Sequence, residues 1–375
     1  MQKKIIALAI AGLASTAAFA QSNVTIYGIV DMGLVYATAD GRSDGWKVDN
    51  GLLSGSRIGF KGSEDLGSGL KAVFTLEYML MPDVNAPLGS AGDWSGSATR
   101  QAYTGLSGNW GTVVGGRLQG VGFNFTCAHN PVAGGAFDTI SKLNGGQTLL
   151  GCGSAGRYNN AIAYISPNWN GFTFEYNHAR VTENANRAYA VAGTNPAFST
   201  DDSYANLARA AYANGPFSAS LAYSKLEGGK NVAAGTTPLA AAMVTQPGDT
   251  KEWGAGADYD FGMVKIYGTY QDKNISKAKV LTDGDKWALG ASIPVFKVGS
   301  VMLSYAEFNS AVKNGDADAW TLAYTHSLSK RTTLYGGYSS VSNDKANFST
   351  SAGANGAPKT GGDASMYAVG MRHTF

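Results

Sequence analysis

Residues 24–37 alternate along their whole length. The even positions Val24, Ile26, Gly28, Val30, Met32, Leu34 and Tyr36 are apolar or small, and the odd positions include Thr25, Tyr27, Asp31 and Gly33. A period of two predicts a strand with one apolar face and one more polar face. A loop carrying Asp40, Arg42, Asp44 and Lys47 follows, and the alternation resumes over 56–62, where Ile58 and Phe60 oppose Arg57, Gly59 and Lys61. In a third strand Phe74, Leu76 and Tyr78 alternate with Val73, Thr75 and Glu77. Strand-like runs recur near 98–107, 112–117, 157–166, 171–180, 203–214, 216–225, 252–261, 263–272, 286–294, 299–308, 318–327, 332–341 and 364–375, making sixteen in all. Tight turns at 66–69, 108–111, 168–171 and 214–216 alternate with long loops at 181–202, 226–250 and 342–362. Short turns on one side and long loops on the other are how antiparallel strands are joined in an outer-membrane barrel, and an even strand count puts both chain ends on one side.

Composition narrows the choice. Charged residues make up 15% of the chain, against roughly 25% in soluble domains. After residue 20 no apolar run approaches the ~20 residues of a membrane helix, and the other structure that spans a bilayer is a closed barrel whose strands satisfy one another's backbone groups. A soluble sandwich would hide its apolar face in a core, whereas here Trp253, Tyr259, Trp287, Trp320 and Tyr324 recur near strand ends on that face. Such spacing fits aromatic girdles at two membrane interfaces. A β-helix would repeat at one rung length, and none is visible. The expected fold is therefore all-β: a 16-stranded antiparallel transmembrane barrel.

Residues 1–20 are set apart. Lys3 and Lys4 precede an apolar run, and Ala18, Phe19 and Ala20 form a small-x-small site before Gln21. This reads as a secretory signal peptide, with 21–375 as one exported barrel domain. Removing it leaves 27 basic and 27 acidic residues, a balance with no segment built to hold nucleic acid.

One stretch breaks the monotony. Residues 118–156 form a loop of thirty-nine residues that holds both cysteines, Cys127 and Cys152, and Asp138 as its one carboxylate. Structureless segments of that length usually carry function, and a loop folded into the barrel is the expectation. In an exported chain the two cysteines are expected to close a disulfide, with two free thiols as the alternative. Zinc is not expected, because His129 alone lies near and the ligand spacing is wrong. At the other end of the chain Tyr367, Val369, Met371, His373 and Phe375 share one face. A final strand of that kind closes the barrel against the first and removes both open edges.

No catalytic constellation accompanies this wall. The histidines are His129, His178, His326 and His373, and none lies in a nucleophile motif. The glycine-rich segments lack the strand-to-helix setting, lysine and serine of a phosphate-binding loop. No enzyme activity, cofactor or metal is expected.

Several motifs, in order, carry a resemblance to a family. They are Val24-Thr25-Ile26-Tyr27-Gly28 with Asp31 and Gly33, then Ser56-Arg57-Ile58-Gly59-Phe60-Lys61-Gly62 with Glu64-Asp65-Leu66-Gly67. Thr99-Arg100-Gln101-Ala102-Tyr103-Thr104-Gly105-Leu106, Gly115-Gly116-Arg117, Arg157-Tyr158-Asn159-Asn160 and the closing Phe375 complete the set. With them the whole chain resembles the trimeric general porins of Gram-negative bacteria, in particular those of beta-proteobacteria. The resemblance implies a sixteen-stranded pore in the outer membrane, with its third external loop folded inward to narrow the lumen. As partners it implies two further copies in a homotrimer, outer-membrane lipid and lipopolysaccharide, the outer-membrane assembly machinery, and the small hydrophilic solutes and ions that pass. Carried onto this chain, the constriction comprises Arg57 and Arg100 on the wall, Arg157 as a third arginine, Arg117 at the loop entrance, Lys61 and Glu77 on the inward face, and Asp138 on the loop. Basic residues outnumber acids there, so a weakly anion-preferring diffusion channel is expected, with a selective channel for small anionic solutes as the alternative. A further role open to Arg57 and Arg100 is to pair with neighbouring carboxylates and brace the wall.

Overall fold

Alternation of burial along each strand is the rule that builds this molecule. In a computed structural model of the chain, residues 23–89, 99–143, 149–153, 156–180, 204–227, 249–276, 283–344 and 358–375 are described. The segment read as a signal peptide, 1–20, lies outside them. The described residues form seventeen strands and two helices. In order these are β1 (Asn23–Ala39), β2 (Gly45–Asn50), β3 (Arg57–Gly67), β4 (Leu70–Met79), β5 (Thr99–Gly108) and β6 (Gly111–Gln119). Then come α1 (Val121–Ala128), α2 (Thr139–Lys142), β7 (Arg157–Ile165), β8 (Phe172–Arg180), β9 (Tyr204–Asn214), β10 (Phe217–Leu226) and β11 (Thr250–Asp260). The rest are β12 (Lys265–Ile275), β13 (Gly284–Val295), β14 (Gly299–Ser310), β15 (Ala317–Ser327), β16 (Thr332–Asn343) and β17 (Ala364–Thr374).

From β3 onward neighbours in this order pair antiparallel, and β2 and β3 both pair with β1. β17 returns to β1 with Ile29 opposite Thr374 and Ala39 opposite Ala364, so the sheet closes. Seventeen segments make sixteen staves. β3 pairs with the first half of β1, from Asn23 to Ile29, and β2 with the second half, from Met32 to Ala37. The two are one stave interrupted at 51–56, which corrects the reading of residues 40–55 as a loop. The antiparallel transmembrane barrel of sixteen strands is otherwise as the periodicity predicts.

The two faces differ in kind. Along β11, Glu252, Gly254, Gly256 and Asp258 are buried while Lys251, Trp253 and Tyr259 are exposed. Exposed positions elsewhere are strongly apolar, among them Ile162, Leu221, Leu289, Leu303 and Val369. In water each Å² of such surface costs about 25 cal/mol, so this outward face belongs in lipid. Aromatic rings band it near the long-loop end. Trp46 meets Tyr36 at 4.9 Å, Tyr367 meets Tyr338 at 4.6 Å, and Trp320 lies 4.8 Å from Tyr338. Trp287 with Tyr305 and Trp253 with Tyr270 continue the band. A second band, including Phe172, Tyr212, Phe217, Tyr259 and Phe261, lies near the short turns. Two girdles separated by an apolar zone match the two interfaces of a membrane.

Three apolar clusters join residues of the 118–156 segment to buried strand positions. Phe137 packs with Val35, Leu52 and Met366, and Phe125 with Leu118, Tyr158 and Leu207. Ile140 and Leu143 pack with Ala306, Phe308 and Val341.

Candidate functional site

Three arginines converge around one carboxylate. On β4, Glu77 is buried, and its Oε1 accepts from Arg100 Nε at 2.6 Å. The pairing depends on a bulge: Glu77 stands opposite Gln101 while Tyr78 stands opposite Thr99, so Arg100 is the extra residue and turns inward. Tyr27 of β1 donates from its hydroxyl to Glu77 Oε2 at 3.0 Å. Arg57 opens β3 and Arg157 opens β7, both close enough to feel the charges of Arg100 and Glu77. Among the described residues neither forms an ion pair; Arg157 instead lies 5.0 Å from the centre of the Phe123 ring, with its Nε unpaired. Lys61 is two inward positions nearer the short turns, exposed, with its ammonium 5.2 Å from the centre of the Tyr27 ring.

Two sequence candidates sit elsewhere. Arg117 registers opposite Ala102, on the outward face that Val113 and Gly115 share with it along β6. Its side chain donates to Thr99 O at 2.5 Å and to Asn159 Oδ1 at 2.6 Å, not to the cluster. Asp138 is fully buried and caps α2. It accepts from Ser141 N at 3.1 Å, Asn130 Nδ2 at 2.7 Å and Gly134 N at 2.9 Å. It organises its own loop, which leaves the arginines opposed by Glu77 alone among the seven candidates.

The segment read as structureless contains both helices. α1 has no side-chain cap at Gly120; Asn177 of β8 supplies one from outside by accepting from Val121 N at 2.6 Å. Cys127 at the end of α1 and Cys152 form a disulfide with Cα atoms 5.2 Å apart. Closing a loop of about 26 residues is worth roughly 3–4 kcal/mol on chain-entropy grounds. Reduction is expected to destabilise the loop by that order, read as faster amide exchange or proteolysis within 118–156; unchanged protection would show the wall contacts suffice alone.

Those contacts are many and distant in sequence. His129 bonds Asp258 through Nδ1 at 2.9 Å and Ser220 through Nε2 at 2.7 Å. Serine, histidine and carboxylate in that order look like a nucleophile relay, but Asp258 is also held by Lys265 at 2.6 Å and Ser218 at 2.5 Å, and Ser220 is buried. The set fastens the end of α1 to β10 and β11. Glu252 accepts from Leu150 N at 2.8 Å, Thr139 meets Ser304 at 2.6 Å, and Thr321 donates to Phe137 O at 2.8 Å. The interrupted stave joins in: Gly51 O and Leu52 O accept from Ala136 N and Phe137 N. Gly135 must be glycine there, since a Cβ would stand 2.5 Å from Leu52 O.

Lys142 is the residue sequence reasoning missed most plainly. It is buried and donates to Ser339 of β16. Burial pushes its ammonium down to about 7, with Asp138 pulling the other way. Lysine in the unfolded chain keeps its ordinary value of 10.5. Between these values the unfolded state binds more protons, so stability rises with pH from about 7 to about 10.5. The melting temperature is expected to rise across that window and the rise to shrink in Lys142→Met, which differential scanning calorimetry tests; identical slopes in the two proteins would refute it. Glu252, Lys273 and Lys286 were legible as inward by parity, and they too are buried.

On the short-turn side of α1 an interior cavity of about 420 Å³ is lined by Lys61, Thr75, Gln101, Tyr103, Asn124 and Glu175. Val73, Phe74, Val114 and Ile165 line it as well, so its wall is mixed polar and apolar.

Comparison with known proteins agrees with this architecture. The family described as Gram-negative porin matches residues 7–346. Outer membrane porin protein 32 of Delftia acidovorans is 35% identical, with all of both chains covered. An outer membrane porin protein of Bordetella pertussis is 28% identical over 89% of this chain and 93% of its own. Among solved structures, an anion-selective porin from Comamonas acidovorans has a TM-score of 0.74 at 31% identity, covering 95% of this chain and 100% of the other.

Proposed function

The chain belongs to the Gram-negative porin family of the outer membrane, and from that premise we propose that it is a water-filled general diffusion channel with a weak preference for anions. The observation that carries the preference is the cluster of Arg57, Arg100 and Arg157 around Glu77, in which, among the described residues, only Arg100 forms an ion pair. Rings of fixed positive charge at a narrowing favour anions, and arginine stays charged at any working pH. The similarity to a structure described as an anion-selective porin points the same way.

The narrowing is the 118–156 segment, folded into the lumen as the third long loop. Its hydrogen bonds to inward positions on β10–β16 and to the 51–55 interruption support that placement. The short turns then face the periplasm and the long loops the exterior. Lys61 lies along the path on the periplasmic side of the cluster. Tyr367, Val369, Met371 and Phe375 present the lipid-facing edge at closure, and three copies assemble in the membrane as the family resemblance implies.

Planar-bilayer recording under a salt gradient tests this reading. Stable openings are expected, closing in groups of three, with a reversal potential displaced towards that of the anion. Absence of conductance would overturn the channel, single-level closures the trimer, and a cation-directed potential the charge argument.

A further inference from the structure

Tyr27, Gly59 and Glu77 stand in one row across the inward wall, Tyr27 opposite Gly59 and Gly59 opposite Glu77. Gly59 has no side chain, and the Tyr27 ring lies in the space one would fill: a Cβ there would stand 2.3 Å from Tyr27 Cζ. An aromatic ring laid over a glycine supports a sheet at that gap. This ring also reaches past β3 to the next strand, where its hydroxyl donates to Glu77 Oε2 at 3.0 Å. Arg100 Nε donates to Oε1 at 2.6 Å. A carboxylate held at both oxygens is fixed in its rotation.

Two cations flank Glu77 diagonally on β3. Arg57 stands opposite Met79 and Lys61 opposite Thr75, each one inward position from Gly59. Diagonal neighbours on one face of a sheet are about 7–8 Å apart, within reach of a long side chain. Neither closes on Glu77. Lys61 rests its ammonium 5.2 Å from the centre of the Tyr27 ring, and among the described residues Arg57 forms no ion pair.

We propose that Tyr27 is a specificity-determining residue of the narrowing: its hydroxyl pins Glu77 towards Arg100 and so keeps the Arg57 guanidinium in the lumen. This rests on the anion-preferring channel described above and deepens it, because the preference then depends on an uncharged side chain. A tyrosine that only supported the wall would act through its ring. Tyr27 acts through its hydroxyl, and Tyr27→Phe separates the two.

Reversal potentials of the full chain in planar bilayers under a salt gradient supply the test. Without the hydroxyl, Glu77 Oε2 turns to the stronger, charge-assisted bond with Arg57. Drawing that charge from ~5 to ~10 Å from an ion's path, with screening, lowers the anion-to-cation permeability ratio about twofold. Tyr27→Phe is expected to show that fall together with a higher conductance. In an Arg57→Ala background the same substitution should leave the ratio where it was. The phenyl ring still covers Gly59, and heat-modifiable migration on gels checks that each variant folds. A parent that does not conduct, or that prefers cations, would sink the channel reading and this inference with it. An anion-preferring parent whose ratio is unmoved by Tyr27→Phe would overturn this inference alone. So would an equal fall in the Arg57→Ala background, since Arg57 would then not be the cation that Tyr27 keeps free.

Discussion

Removing both unpaired guanidiniums, Arg57→Ala with Arg157→Ala, is expected to raise conductance and move selectivity towards cations. The estimate is electrostatic. A unit charge ~8 Å from an ion's path acts at about 0.5 kcal/mol in a water-like medium, a little over twofold in local concentration. Losing two charges lowers anion occupancy and raises cation occupancy together, and screening over ~8–10 Å at ordinary salt trims the result. The anion-to-cation permeability ratio should therefore fall on the order of fivefold. Arg100 is left in place because Glu77 already neutralises it. Reversal potentials at matched ionic strength read the change. An unmoved potential would mean that these arginines brace the wall and that the narrowing lies elsewhere.

The opposite substitution acts on both stability and selectivity. Glu77→Gln strands the Arg100 guanidinium, which is as buried as its partner. Breaking a buried pair by removing one member costs about 3–5 kcal/mol, because the remaining charge has no compensation. The temperature at which the folded band disappears on gels should fall, and anion preference should increase. The double variant Glu77→Gln with Arg100→Met should recover much of the stability. If Glu77→Gln alone melts like the parent, water or another acceptor already serves Arg100.

The strands were legible because a membrane wall is the simplest alternating pattern a chain can carry. Each outward residue must suit lipid, so Ile58, Phe60, Leu221 and Val369 announce their face without reference to partners. β2 escaped because Gly45 and Asn50 enclose Lys47 and Asp49, a run that reads as a turn until β1 lends it a ladder. α1 escaped for a related reason: its first turn is capped by Asn177, fifty-six residues away. The site was legible as a list and not as a geometry. A bulge turned Arg100 inward, and a bulge leaves no mark in periodicity because it changes parity by a single residue; Arg117, by contrast, keeps the outward parity of Val113 and Gly115. Asp138 looked like the loop's contribution to the pore since acids in polar loops usually meet water. Its four acceptor contacts are local, and nothing in the sequence around it distinguishes a cap from a lining residue.

The disulfide also orders events in time. Cys127 and Cys152 are separated by 25 residues, whereas the bonds from the loop to Ser220 and Ser339 span 91 and 197. Closure entropy grows with the logarithm of length, and an exported chain meets oxidising conditions before it meets the membrane. The loop can thus be stapled while β9–β17 are still unpaired. It then enters assembly as a preformed part, and the later strands receive their inward partners one after another as the wall grows around it. Glu252, Ser304 and Ser339 then each offer the stapled loop a hydrogen-bond partner as their staves arrive.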